Sequence, residues 1–77
     1  MTLYLAQHGK KYLVKKLDME EKIERRLEAL GLTENSMIEL ISRKRGGAVI
    51  VKIRGTRFAL GREICEKMQL WGDNNEK

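Results

Sequence analysis

A chain of 77 residues that holds one cysteine and one histidine has nothing to staple it together. A disulfide needs two thiols, and a structural zinc cluster needs several Cys or His ligands. The fold therefore stands on its apolar core, helped at most by a partner. At this length a domain buries only about 60% of the surface its unfolded chain exposes, so two cores are excluded. The composition permits one core. At 42% apolar the chain is too hydrophobic to be disordered, and at 35% charged it carries more than the usual quarter of charged residues. One compact domain is expected over residues 1–71. Residues 72–77 are polar and aperiodic, and read as a disordered tail. The longest apolar run, Ala48-Val49-Ile50-Val51, falls far short of the roughly 20 residues that cross a bilayer. Residues 1–5 are too short for a signal-peptide core and lack a basic lead. Cytoplasmic localisation without membrane insertion is expected.

Hydrophobic periodicity divides the domain. Residues 10–17 read as a strand with Tyr12 and Val14 on one face and Leu13 on the other. Asp18 is placed as an N-cap, with Glu21 three residues on as in a capping box. Met19, Ile23, Leu27 and Leu30 then form one helical stripe, and Gly31 suits the left-handed C′ position. A helix is expected over about 19–30, with Glu21 and Arg25 as an attractive i,i+4 pair. Residues 37–43 return to strand chemistry. Residues 48–54 alternate most clearly: Val49, Val51 and Ile53 on one face, Ile50, Lys52 and Arg54 on the other. Gly55-Thr56 marks a tight turn, and residues 56–60 pair back with Phe58 and Leu60 on one face. A short helix over about 62–68 buries Ile64, Cys65 and Met68, and residues 69–71 close the chain as a strand. The order describes an all-β domain with a short helical insertion, a small five-stranded barrel.

The net charge of +5 is unevenly spread. Residues 1–17 carry four lysines and no acid, residues 46–60 carry Lys52, Arg54 and Arg57 and no acid, and the helical stretch is acidic. A basic face suits nucleic acid, phosphate or an acidic protein surface. Nucleophilic catalysis needs an activated Ser or Cys beside a base, and His8 and Cys65 fall on segments with no reason to meet. Gly46-Gly47 lacks the Gly-x-x-x-x-Gly-Lys-Ser/Thr spacing of a phosphate loop and leads into a strand. His8, Cys65, Asp18 and the helix glutamates match no metal cluster by spacing. Nucleic-acid binding by small barrels uses interleaved aromatics, which make up only 5% of this chain. Charge without stacking residues favours a protein partner. Small basic barrels that bind nucleic acid, and domains like those of metal-responsive regulators, are the alternatives.

Three blocks carry a family likeness: LEALGL at 27–32 followed by MIELI at 37–41, GGAVIVKIRG at 46–55, and FALGREICEKM at 58–68. In order and spacing they resemble FeoA, the ferrous iron transport protein A family, over roughly residues 2–71. The resemblance implies an SH3-like barrel with an inserted helix, related to the C-terminal domain of the DtxR-type metal-dependent repressors. It implies a non-catalytic, cytoplasmic, regulatory accessory of FeoB, the GTP-dependent membrane transporter of Fe²⁺. It also implies weak transition-metal binding, Fe²⁺ included, through ligands that map to no residues here, and no other cofactor. Members often carry proline where this chain has Arg43-Lys44-Arg45-Gly46-Gly47, and a small residue such as alanine at Cys65. Arg is favoured at interface centres. The expected partner surface is therefore Arg43, Lys44 and Arg45 at a hairpin tip, Lys52, Arg54 and Arg57 on the strands, and Leu32 and Met37 at the helix exit. Weak self-association is compatible with the open strand edges of such a barrel.

Overall fold

In the computed structural model, which describes residues 1–71, five strands form one antiparallel sheet. They are β1 (Lys11–Leu17), β2 (Met37–Arg43), β3 (Val49–Ile53), β4 (Thr56–Leu60) and β5 (Met68–Leu70). Helix α1 (Glu21–Ala29) joins β1 to β2, and α2 (Arg62–Lys67) joins β4 to β5. The strand order is β4-β3-β2-β1-β5. Register shifts between Val14 and Lys16 and between Leu40 and Ser42 bend the sheet around its core. The first shift also returns Leu17 to the buried face beside Tyr12 and Val14.

The core takes one face of each strand: Tyr12 and Val14, Ile38 and Leu40, Val49, Val51 and Ile53, Leu60, and Met68 and Leu70. Cys65 of α2 and Leu27 of α1 complete it. Leu3, Ala6 and Leu32 join from outside the regular elements. No buried polar or charged residue is found among the described residues.

Helix α1 starts at Glu21, later than the apolar stripe suggests. Glu20, not Asp18, stands at its N-cap, and no side chain caps it. Asp18 instead donates its backbone N–H to the Lys67 carbonyl at 3.0 Å, tying the helix entry to the end of α2. The helix ends as expected on Gly31, φ +95°. The Gly31 N–H reaches Glu28 O and the Leu32 N–H reaches Leu27 O, both at 2.9 Å. This is a Schellman motif, and it turns Leu32 into the core against Leu27. Leu30 consequently faces solvent and is not part of the buried stripe. The Glu21–Arg25 pair forms at 2.8 Å on the exposed side.

Two further placements differ from the periodicity. The β3–β4 turn is Arg54-Gly55, with φ +53° and +84°, and Thr56 is already in β4. Positive φ at both central residues is the primed geometry that matches strand twist. Met68 begins β5 and does not end α2. The N-terminal segment carries an element that alternation does not reveal. Leu3–Leu5 forms a 3-10 turn that drives Leu3 into the core. The tail expected at 72–77 lies outside the described residues.

Candidate partner-binding surface

The outer face of the sheet is where function can sit, because the inner face is filled. Register places Lys11 opposite Glu39, Glu39 opposite Lys52, and Lys52 opposite Arg57. Partners in register share a face, so these four side chains form one row across β1, β2, β3 and β4. Beside it Leu13 pairs with Met37. Both are solvent-exposed, at 39% and 52%. An open groove of about 570 Å³ runs past Lys11, Met37, Glu39, Lys52 and the Arg54-Gly55 turn. Trp71, half-exposed, donates its backbone N–H to the Leu13 carbonyl at 3.0 Å, and the Lys15 ammonium sits 4.8 Å from its ring centroid. The result is an apolar pair and a tryptophan set among cations, with Glu39 the one acid lining the groove among the described residues.

The expected surface residues separate into three groups. Lys52, Arg57 and Met37 lie together on the outer face, and Arg54 stands at its rim in the turn. Lys44 and Arg45 occupy the β2–β3 connection, in a tight turn over residues 44–47 in which the Gly47 N–H reaches the Lys44 carbonyl at 3.2 Å and Gly46 takes φ +85°. Arg43 and Leu32 point elsewhere. The Arg43 guanidinium donates to the backbone carbonyls of Tyr4 and Ala6 and stacks near the Tyr4 ring, so it holds the N-terminal segment and is not a free hairpin tip. Leu32 is 1% exposed and offers nothing to a partner. Charge points Arg43 to the surface, and position at the helix exit points Leu32 there. Their direction is set by tertiary contacts, by the Schellman turn for Leu32 and by the unforeseen 3-10 turn for Arg43. Lys11, Glu39 and Leu13 complete the face. Strand alternation puts Leu13 opposite Tyr12 and Val14, but only the cross-strand register brings Lys11 and Glu39 into the row.

The remaining chemistry-bearing side chains do not converge. Cys65 is buried, its Sγ donating to the Leu60 carbonyl at 3.4 Å. Burial pushes its thiol pKa up, partly opposed by the Arg43 charge, so it is a poor nucleophile. His8 is exposed on the loop before β1. Among the described residues no three of His, Cys, Asp and Glu come together to hold a metal ion. Among the described residues this donor set does not fit a resident metal.

A small antiparallel sheet wrapped on one core, with helices inserted between its strands and a charged outer face, defines an SH3-like module. The comparisons with known proteins agree. The FeoA domain family matches residues 1–70, and the chain belongs to that family. A protein of Methanocaldococcus jannaschii named "Putative Fe(2+) transport protein A" is 32% identical over 79 residues, which is 97% of this chain and 95% of the relative. Among solved structures, FeoA from Chlorobium tepidum superposes at TM-score 0.84 with 22% identity, covering 91% of this chain and 68% of that one. A zinc-complexed FeoA of Stenotrophomonas maltophilia, described as a prokaryotic SH3 domain protein, gives 0.75 with 24% identity over 91% and 88%. A manganese-dependent transcriptional repressor gives 0.82 with 18% identity, over 91% of this chain and 40% of the repressor. The fold thus occurs both alone and within longer regulators. The family is implicated in ferrous iron transport, and no helix here is long and apolar enough to cross a membrane.

Proposed function

We propose that this chain is a non-catalytic accessory module of ferrous iron uptake that docks on the cytoplasmic side of a FeoB-type Fe²⁺ transporter. One observation carries the reading. In a FeoA-family chain with no buried polar or charged residue among the described residues, the chemistry available for recognition lies on the outer row of Lys11, Glu39, Lys52 and Arg57 with Leu13 and Met37. Met37, Lys52, Arg54 and Arg57 form the contact, and Lys44 and Arg45 extend it. Arg43 and Leu32 support it from behind. The module influences transport only by binding one state of the transporter more tightly than another. The test is capture of the FeoB of the same organism from a membrane extract by this protein at two salt concentrations. Specific capture that weakens with salt is the expected result, because exposed charges are screened. Absence of capture, with RNA or DNA co-purifying instead, overturns the reading in favour of a nucleic-acid barrel.

A further inference from the structure

We propose that the open edge of β4 takes an acidic, extended segment of a protein partner as an added strand. This deepens the docking reading and rests on it. The two-residue turn at Arg54-Gly55 makes Ile53 and Thr56 the first hydrogen-bonded pair of the hairpin. Hydrogen-bonded and non-bonded pairs alternate from there, so Thr56, Phe58 and Leu60 face β3 with their backbone groups. The N–H and C=O of Arg57 and Ala59 point the other way. Among the described residues no strand stands on that side, because β4 ends the sheet.

Most of the devices that blunt such an edge are missing from it. The chain contains no proline, and the β3–β4 register runs unbroken from Val49↔Leu60 to Ile53↔Thr56, with no bulge. What β4 does carry is charge, and charge selects the occupant. The outer row reads plus, minus, plus, plus from Lys11 to Arg57. Lys52 and Arg57 are like charges set directly opposite each other, an unfavourable pairing. Glu39 lies on the far side of Lys52, and among the described residues no strand supplies a next position beyond Arg57. A carboxylate on an added strand would stand there about 5 Å from Arg57, Cβ to Cβ. It would continue the alternation that Glu39 begins. A second copy of this chain fits less well, since pairing two β4 edges brings two cationic rows together in a protein of net charge +5. Nucleic acid supplies the negative charge but no strand of N–H and C=O groups. Peptide capture at a sheet edge draws affinity from main-chain bonds and specificity from alternate side chains.

The probe is a fluorescently labelled, end-capped peptide of alternating Glu and Val, titrated with the full chain beside its Lys-Val counterpart. The acidic peptide should bind and the basic one should not. Ala59→Pro removes an outward N–H while leaving the bonds to β3 in place, and should weaken binding at least tenfold. Arg57→Glu should do the same without touching the backbone, which keeps the test decisive if Ala59→Pro fails a folding check by circular dichroism. Amide shifts in the wild-type protein should centre on residues 57 and 59. No binding of the acidic peptide, or binding that both folded variants retain, overturns the proposal. So does a dimer of the wild-type chain that Ala59→Pro abolishes while no peptide binds, which assigns the edge to a second copy. Capture of FeoB without peptide binding leaves the docking reading standing and removes the edge. Peptide binding without capture keeps the edge and removes FeoB as the partner.

Discussion

β5 and β4 are both edge strands of one sheet, yet one is sealed and the other is not. Beside β5, Thr2 bridges Gln69, and the Leu70 N–H reaches the Met1 carbonyl at 2.7 Å. Behind that bridge Leu3 is buried, Arg43 grips the carbonyls of Tyr4 and Ala6, and Arg62 stacks 4.9 Å from the Tyr4 ring centroid. Beside β4 no further strand stands among the described residues, and Arg57 and Ala59 are exposed. The lesson is that basic residues similar in sequence do opposite jobs. At the sealed end arginine is spent on the chain's own carbonyls, and at the open end it faces outward without an ion pair among the described residues.

If the comparison holds, stability is concentrated at the sealed end. Leu3→Ala should cost the most, about 2–5 kcal/mol, because a fully buried leucine leaves a cavity. A urea midpoint close to wild type would show that the N-terminal turn is dispensable. Arg43→Ala should follow at about 2–3 kcal/mol, since it orphans two half-buried carbonyls that accept from a charged donor. Gly47→Ala should cost about 1–3 kcal/mol. Its φ is +96°, and an added Cβ would stand 2.9 Å from the Arg62 Cδ. A thermal melt checks it, and a Tm unchanged from wild type would mean that Arg62 swings aside and the strain is absorbed.

The buried thiol adds a pH signature to the same end. The Cys65 pKa is raised above its ordinary value of 9.0 by burial, so the folded state holds the proton more tightly than the unfolded state. The stabilisation is complete below pH 9 and is lost as pH rises through the folded value. Cys65→Ala should flatten that part of the stability–pH curve relative to wild type in parallel denaturant titrations. Smallest of all is the open end. Arg57→Glu should shift stability by no more than about 0.5 kcal/mol, toward stabilisation, because it replaces a like-charge pair with an attractive one. A large loss on denaturation would show that this end is structural after all.

The strands and their buried faces are legible in the sequence, but the contrast between the two edges is not. The strand Met37–Arg43, the buried face of Val49, Val51 and Ile53, and the Gly31 helix stop all follow from local pattern, because each depends on near neighbours. The outward direction of Lys52 and Arg57 follows from strand alternation as well. What failed were placements that distant contacts decide. Asp18 gives its N–H to Lys67 across 49 residues and does not cap its own helix. Arg43 is claimed by Tyr4, 39 residues away. Leu30 and Leu32 exchange roles because the Schellman turn, not the helical stripe, sets which one points inward. The row from Lys11 to Arg57 depends on the register of four strands, which no single segment encodes.

As proposed, the outer row ending at the open edge is the docking surface and is separable from the fold. The most direct measurement is FeoB capture by the Lys52→Glu/Arg57→Glu double variant, read beside its melting temperature. Capture should be lost while the melting temperature stays at or slightly above that of wild type. Capture at the wild-type level by a folded double variant would contradict it.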